Sequence, residues 1–174
     1  IVGEMGIANT TASSALLAAL TGKPVAGLVG PGTGIDDERL AHKRAVIERA
    51  LAARQPDPAD PLGALAAVGG LEIAAMAGAL LVGASHRLPL IVDGFIATVA
   101  ALLACRLQPS LRNFLIFGHR SREPGHELAL QALDARPLLD FELRLGEGTG
   151  AALAFPLLDS ACRLLAEMAT FDDA

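Results

Sequence analysis

Hydrophobic and polar residues follow one another in blocks along this chain. A short apolar run leads into a glycine-containing turn and then into a longer helical pattern, and this happens several times. The apolar runs are "KPVAGLVG" (23–30), "LPLIVDG" (88–94), "NFLIFG" (113–118) and "ELRLGEGTGA" (142–151), and the helical patterns that follow cover about 36–53, 95–105, 124–134 and the chain up to about 168. Short strands that alternate with helices of ten or more residues are typical of βαβ units. The pattern therefore predicts an α/β chain with a mostly parallel sheet.

Two further segments complete the predicted organisation. The proline-rich stretch "RQPDPADPLG" (54–63) indicates a surface connection between two helices, with Asp60 or Pro61 at the start of the second. The segment "GGLEIAAMAGALLVGAS" (69–85) is almost wholly small and apolar, so it predicts a buried helix and a candidate subunit contact. A length of 174 residues suits one domain.

Composition narrows the classes of protein. Hydrophobic residues make up 52% of the chain but aromatic residues only 3%, so the core has to be built from Ala, Leu, Val and Ile. A net charge of −5 argues against a nucleic-acid partner. Cys105 and Cys162 each lie in an apolar run, which predicts buried, reduced thiols in a cytoplasmic protein.

The longest uncharged stretch and the first residues of the chain lead to two further expectations. The longest uncharged stretch, residues 5–22, contains six Asn, Ser and Thr residues and is too polar for a membrane span, so we expect a soluble protein. The chain opens on "IVGEMG" with no initiator Met, and we expect it to be part of a longer protein.

Chemically distinctive residues fall where strands give way to helices. In open parallel sheets, ligands bind outside the carboxyl ends of the strands. The candidates there are Glu4 in "GEMGIANTT", Asp93 in "VDGF", Ser121 and Glu123 in "GHRSREPGH", and Glu147 in "GEGTGA". Helix capping is an alternative role for Asp93 and for Ser121. His119 and His126 have no ligand spacing with a third donor, so we expect no metal site.

The glycine loop "GPGTG" (30–34) leaves two interpretations open. It lacks the Gly-Lys-Ser/Thr of a Walker A motif, and its glycine spacing does not match the Rossmann fingerprint. Asp36 and Asp37 follow it and can stabilise the next helix N-terminus themselves. The loop is thus either a phosphate loop or an ordinary turn, and Lys43 is either an anion ligand or a solvated surface residue.

Glu147 is the candidate with the fewest structural explanations. It lies between Gly146 and Gly148, after a predicted strand and before a long Ala/Leu helix. The flanking glycines permit close approach of another molecule, and the helix dipole favours the ionised carboxylate. Because Glu is not a usual cap residue, we interpret Glu147 as a poised carboxylate base.

Several long motifs together carry a specific resemblance. "GEMGIANTT", "VGPGTGIDD" followed by "HK", "GGLEIAAMAGA", "VDGFI" and "LRLGEGTGAALA", ending near "EMATF", occur in one order from residue 3 to residue 171. In these motifs the chain resembles the nicotinate-nucleotide–dimethylbenzimidazole phosphoribosyltransferase family. The resemblance implies a Rossmann-like three-layer α/β fold in which helices flank the sheet. It also implies a cytoplasmic homodimer without cofactor or metal that transfers ribose 5-phosphate from nicotinate mononucleotide to 5,6-dimethylbenzimidazole in cobalamin biosynthesis.

The resemblance also implies roles for individual residues. Glu147 matches the general base of the family and Glu4 matches a second acid of the site. Residues implied in substrate binding are Asn9, Thr10, Thr11, Gly30, Gly32, Thr33, Gly34, Lys43, Asp93, Gly94, Phe95 and Ser121.

The chain departs from the family pattern in two respects. Pro31 stands where the pattern has an arginine, so Lys43 or backbone N–H groups have to do more for the phosphate. Family members also carry a further N-terminal region that supplies part of the benzimidazole pocket. The competing hypothesis is therefore that the chain is a module that binds a nucleotide but does not catalyse a reaction.

Overall fold

The computed structural model describes residues 1–31 and 34–171. Gly32 and Thr33, which the resemblance places in the phosphate site, lie outside the described residues. The helices are α1 (Asn9–Thr21), α2 (Asp37–Arg54), α3 (Pro61–Val68), α4 (Leu71–Ser85), α5 (Phe95–Leu107), α6 (Pro124–Ala132) and α7 (Thr149–Glu167). The strands are β1 (Leu90–Val92), β2 (Leu115–Phe117), β3 (His119–Ser121) and β4 (Leu139–Leu143), with short 3₁₀ helices at Val25–Gly27 and Pro109–Phe114.

The strands form one parallel surface built from two small sheets. β1 pairs in parallel with β2, and β3 pairs in parallel with β4. Gly118 joins the two sheets, because its N–H donates to the Val92 carbonyl and its carbonyl accepts from the Leu139 N–H. Val2 adds an isolated parallel bridge to Val92. The predicted mostly parallel sheet is confirmed, and the carboxyl ends of its strands meet at one edge.

Helices cover both faces of this sheet. Leu90 and Val92 of β1 pack into the main core, which contains nearly all of α5. Ile91, between them, packs with Ala151 and Ala154 of α7 in a second cluster. Since successive strand residues point to opposite faces, α5 and α7 lie on opposite sides of the sheet. This confirms the three-layer α/β fold.

Two helix starts agree with the sequence. Asp36 Oδ1 accepts the Arg39 N–H at 2.8 Å before α2, and Asp60 Oδ1 accepts the Gly63 N–H at 2.9 Å before α3. Short polar side chains at this position satisfy N–H groups that have no partner within the helix.

Other expectations were wrong. The run "KPVAGLVG" forms a 3₁₀ helix instead of a strand; Pro24 cannot donate to a sheet ladder, and Val25 and Leu28 reach the core without one. α4 is buried on one face only, with Leu71 at 89% exposure on the other. Cys105 is half-buried, and burial raises its pKa to about 11, whereas Cys162 is exposed on α7.

α7 combines length with an apolar surface. Its 19 residues meet the length and composition of a membrane span, with a mean hydropathy of 1.2. One such helix is weak evidence for a membrane protein, and Gly150, Ala151 and Ala154 of α7 are buried against the sheet. The apolar side chains farther along the helix, including Leu164 and Leu165, are exposed.

Candidate active site

A cleft of about 560 Å³ opens at the carboxyl ends of the strands. This is the position at which parallel α/β sheets bind their ligands. The segments that follow Val2, β1, β3 and β4 contribute to its wall. The cleft is lined by Glu4, Met5, Gly6, Thr10, Asp93, Gly94, Phe95, Ile96, His119, Ser121, Glu123, Glu142, Leu143, Arg144, Leu145 and Gly146.

Glu4 provides a half-buried carboxylate in the cleft. Its Oε2 accepts hydrogen bonds from the Gly6 N–H and from the Asn9 side-chain amide. Burial raises the pKa of Glu4, while the two hydrogen bonds partly oppose this effect. A carboxyl group with a raised pKa is better suited to hold or exchange a proton near neutral pH than a fully solvated one.

Glu147 occupies a turn of unusual backbone conformation. Gly146, Glu147 and Gly148 all have positive φ angles, of 82°, 58° and 81°. The two glycines tolerate this conformation, but it is uncommon for a glutamate. The Glu147 N–H donates to the Glu4 carbonyl at 2.7 Å, and its side chain is exposed outside the residues that line the cleft. The surrounding structure therefore imposes the turn.

Gly3 explains why the first strand segment ends on a glycine. A Cβ atom added to Gly3 would lie 2.5 Å from the Gly148 nitrogen and 2.8 Å from its Cα. Contacts this short are not compatible with a side chain. The two segments that carry Glu4 and Glu147 thus approach each other backbone to backbone.

Asp93 is buried at the floor of the cleft, with 2% of its surface exposed. Its Oδ2 accepts the Gly148 N–H at 3.2 Å and its Oδ1 accepts the Ala151 N–H at 3.0 Å. Asp93 therefore caps a helix, as its alternative interpretation proposed, but the helix is α7 and not the adjacent α5. His119 Nδ1 lies 3.7 Å from Asp93 Oδ1, and burial lowers the pKa of His119.

His126 anchors Ser121 behind the cleft. The Ser121 N–H donates to His126 Nδ1 at 2.9 Å, so Nε2 carries the ring proton and donates to Thr98 Oγ1 at 3.0 Å. Burial, with the charges of His119 and Arg120, lowers the pKa of His126 to about 3, and the ring is neutral near pH 7. Ser121 Oγ accepts the Glu123 N–H at 3.3 Å just before α6. Ser121 thus combines a turn contact with a position in the cleft wall.

Lys43 of α2 lies outside the residues that line the cleft but contacts one of them, Thr10. Its Nζ donates to Thr10 Oγ1 at 2.9 Å and to the Gly30 carbonyl at 3.2 Å, so it is not a freely solvated surface lysine. Burial lowers its pKa, and the carboxylate of Glu123 opposes this shift. Burial likewise raises the pKa of Glu123. Gly30 has no room for a side chain, because an added Cβ would lie 2.5 Å from Cδ of the Pro124 ring.

Of the remaining predicted residues, some line the cleft and others lie outside its lining. Gly94 and Phe95 line the cleft at the start of α5, and Thr11 is half-buried in α1. Asn9 borders a second, shallower pocket, and its Oδ1 is buried without a hydrogen-bond partner among the described residues. Gly34 is exposed, with φ at 108°.

Sequence reasoning missed part of the wall. It did not assign to the site Met5, Gly6, Ile96, His119, Glu142, Leu143, Arg144, Leu145 and Gly146. For the residues of β4 and its exit the signal was available, since they immediately precede Glu147. The place of His119 in the cleft wall could have been inferred only from the fold. The pairing of β1 with β2 brings the residues that follow the two strands, Asp93 and His119, next to each other.

The described residues contain no group of three or more His, Cys, Asp or Glu side chains that could hold a metal ion. His119 and His126 lie edge to face, with ring centroids 6.1 Å apart. Their ring nitrogens face Asp93, Ser121 and Thr98. His126 therefore belongs to a buried hydrogen-bond network behind the cleft, whereas His119 lines the cleft beside Asp93.

Comparison with known proteins gives consistent matches over the whole chain. A phosphoribosyltransferase family model matches residues 1–174. The nicotinate-nucleotide–dimethylbenzimidazole phosphoribosyltransferase of Azotobacter vinelandii is 61% identical over 174 residues, which is 100% of this chain and 49% of that protein. The protein of the same name from Chloroflexus aggregans is 58% identical over 172 residues, 99% of this chain and 49% of its own length.

Solved structures agree with the curated relatives. The crystal structure of CobT from Thermus thermophilus superposes with a TM-score of 0.92 at 54% identity, over 98% of this chain and 51% of that chain. A structure named nicotinate-nucleotide–dimethylbenzimidazole phosphoribosyltransferase from the same organism gives a TM-score of 0.89 at 53% identity, over 98% and 50% of the two chains. The chain spans about half the length of the curated relatives that it matches.

Proposed function

The chain belongs to this phosphoribosyltransferase family, and from that membership we propose that it contributes the nucleotide site of a nicotinate-nucleotide–dimethylbenzimidazole phosphoribosyltransferase. The reaction transfers ribose 5-phosphate from nicotinate mononucleotide to 5,6-dimethylbenzimidazole. Its products are α-ribazole 5′-phosphate and nicotinate. The observation that carries the proposal is the hydrogen bond of 2.7 Å between Glu147 N–H and the Glu4 carbonyl, which joins the two implied acids beside one cleft.

The chemistry requires a nucleophile held in line with the C1′ atom of the ribose. The unprotonated ring nitrogen of benzimidazole attacks C1′ while the bond from C1′ to the nicotinate nitrogen breaks, and the configuration inverts from β to α. Positive charge builds on the attacking ring, so the proton on its other nitrogen becomes acidic. A carboxylate removes this proton and stabilises the growing cation.

Glu147 and Glu4 support this chemistry in different ways. We assign Glu147 as the base and Glu4 as the second acid, as the family motifs imply. Glu4 faces the cleft, and burial keeps its pKa raised. Glu147 is held in a strained conformation next to it, and strained residues cluster at functional sites.

Lys43 supports phosphate binding beside Thr10 of the cleft wall. Its ammonium group is already positioned by Thr10 and Gly30, and both partners are neutral oxygen acceptors that an anionic phosphate can replace. Pro31 offers no side-chain donor where the family pattern has an arginine. Arg144, which lines the cleft, and Lys43, which binds the cleft residue Thr10, are the cations that can compensate for it.

One observation favours the alternative of a binding module. The Glu147 side chain is exposed and lies outside the cleft lining. A binding module would hold the nucleotide without needing either acid. Catalysis requires Glu147 to face the acceptor in the complex.

The other properties that the resemblance implies belong to the same proposal. We propose that residues 1–174 act as a single α/β unit of a cytoplasmic homodimer that needs no metal or organic cofactor. The exposed face of α4, with Leu71 and Val82, supports a subunit contact because both apolar side chains are more than half exposed.

Release of nicotinate from nicotinate mononucleotide tests the proposed function directly. The full-length protein is incubated with the nucleotide, with and without 5,6-dimethylbenzimidazole, and nicotinate and α-ribazole 5′-phosphate are separated by chromatography. We expect both products in equal amounts and only with the acceptor present. Nucleotide binding without release of nicotinate would support the binding module and contradict the transferase.

A further inference from the structure

Asp93 connects the floor of the cleft to the turn that carries Glu147. Its carboxylate emerges from the end of β1 and reaches two main-chain N–H groups at the start of α7, those of Gly148 and Ala151. α7 has no cap from its own neighbouring side chains. Asp93 therefore supplies, from a distant segment, the contact that a local cap residue normally supplies.

The turn at 146–148 depends on contacts from both sides. On one side, the Glu147 N–H is bound by the Glu4 carbonyl. On the other, the next N–H, that of Gly148, is bound by Asp93 Oδ2. Glu147 is thus held at φ 58° between two fixed peptide groups. Loss of either contact removes part of what maintains this unfavourable conformation.

The environment of Asp93 indicates that its side chain is fixed in place and links two segments of the chain, rather than moving to bind a substrate. The side chain is 3% exposed, and each of its oxygen atoms already accepts a main-chain N–H. The N-terminus of α7 favours its negative charge. His119 Nδ1, at 3.7 Å, is too far for a hydrogen bond and has no partner among the described residues. The two N–H groups are therefore the dominant contacts of the carboxylate.

We propose that Asp93 is a positioning residue that acts on the reaction through Glu147, by fixing the 146–148 turn against the sheet. This proposal rests on the proposed function for its kinetic part. It differs from the role in substrate binding that the motif resemblance implies for Asp93. If Asp93 bound substrate, its loss would weaken nucleotide affinity. If it positions Glu147, its loss lowers turnover, and this effect disappears in a variant that lacks the Glu147 carboxylate.

A double-mutant cycle separates these roles. Asp93→Asn keeps the shape of the side chain but replaces one acceptor oxygen by an NH₂ group, so one of the two N–H contacts is lost. We expect kcat to fall by roughly 10- to 100-fold with KM for nicotinate mononucleotide changed less than about threefold. In a Glu147→Gln background the same substitution should change kcat less than about threefold, because coupled residues are not additive.

Asp60→Ala is the matched control. Asp60 also caps a helix, accepting the Gly63 N–H at 2.9 Å through one carboxylate oxygen, but that helix is α3. Loss of this cap should lower thermal stability and leave kcat unchanged. A rise in KM with unchanged kcat, or equal losses with and without Glu147, would overturn the proposal.

Amide hydrogen exchange tests the same link without any turnover. In Asp93→Asn at least one of the two amides, that of Gly148 or that of Ala151, should exchange at least about tenfold faster, while amides in α3 stay unchanged. Unchanged protection of both amides would overturn the proposal even if the transferase activity were present. If the wild-type protein bound nucleotide without releasing nicotinate, the proposed function would fail, and the exchange result would still decide the positioning role.

Discussion

The main-chain N–H of Glu147 donates to the main-chain carbonyl of Glu4 at 2.7 Å. The two acids that the sequence motifs implicate lie near opposite ends of the chain and become neighbours through the backbone. A contact between backbone groups does not depend on the charge of either side chain. Each carboxylate can therefore change its protonation or its partner without releasing the other segment.

Replacing the carboxylate of Glu147 should impair chemistry without impairing binding. We expect Glu147→Gln to lower kcat by roughly 100- to 10,000-fold, the usual scale of a general base, with nucleotide affinity and thermal stability close to wild type. Steady-state kinetics and calorimetric titration measure the two effects. Glu167→Gln, at the other end of α7, is the matched control. Unchanged turnover in Glu147→Gln would remove this residue from the mechanism.

Glu4 should reduce stability at neutral pH because of its burial. Its folded-state pKa lies above the ordinary value of 4.5. The contribution of Glu4 to the free energy of unfolding is therefore fully present below pH 4.5 and is lost as pH rises through the folded-state pKa. Glu4→Gln keeps an acceptor for Gly6 and Asn9 but carries no charge. We expect it to raise the free energy of unfolding at pH 7 by less than about 1 kcal/mol, since solvent screens this half-exposed group.

The comparison of Glu4→Gln with wild type is made by urea denaturation at several pH values. The stability difference should shrink as pH falls toward 4.5. A variant that is less stable than wild type at pH 7 would show that the hydrogen bonds to Glu4 outweigh its desolvation.

Lys43 should contribute mainly to nucleotide affinity. We expect Lys43→Ala to raise the Kd of nicotinate mononucleotide by roughly 10- to 100-fold, the range for loss of a charged hydrogen bond, with a smaller effect on single-turnover chemistry. Lys23→Ala, at an exposed position, removes the same charge elsewhere and should leave Kd unchanged. Equal affinity of Lys43→Ala and wild type in a titration would contradict a role in binding.

His126 should make the fold sensitive to acid. Its folded-state pKa is about 3 against 6.5 in the unfolded chain, so below pH 6.5 the unfolded chain takes up a proton that the folded protein does not. Stability should therefore fall as pH decreases from 6.5 toward 3, by up to roughly 1.4 kcal/mol per pH unit from this group. His126→Gln should flatten that slope, and His42→Gln, at an exposed position, should not.

Replacing glycine by alanine should lower the stability of the protein at one position and raise it at another. Gly3→Ala forces a Cβ to 2.5 Å from the Gly148 nitrogen, so we expect a loss of about 1–3 kcal/mol in stability and a lower kcat. Gly78→Ala, in α4, meets nothing within 4 Å and should gain about 1 kcal/mol from helix propensity. Thermal denaturation of both variants measures the difference. Equal stability of Gly3→Ala and wild type would mean that the two segments can separate at little cost.

Much of the fold follows from local patterns. The helices after "LPLIVDG" and "NFLIFG" and the starts of α2 and α3 were predicted because apolar periodicity and N-terminal Asp residues act over a few neighbouring residues. The run "KPVAGLVG" was assigned wrongly, since a short apolar segment buries the same side chains as a strand or as a 3₁₀ helix. Only its packing partners decide between the two.

The sequence by itself determined which loops lie together, because parallel strands place their carboxyl ends, and so Glu4, Asp93, Ser121 and Glu147, at one edge of the sheet. It could not determine what each residue does there. That Asp93 caps α7 and not α5, that Lys43 reaches Thr10 and Gly30, and that His119 faces Asp93 are decided only by tertiary structure. Such contacts join segments far apart in the chain, and their geometry depends on how helices pack across the sheet, which no local pattern records.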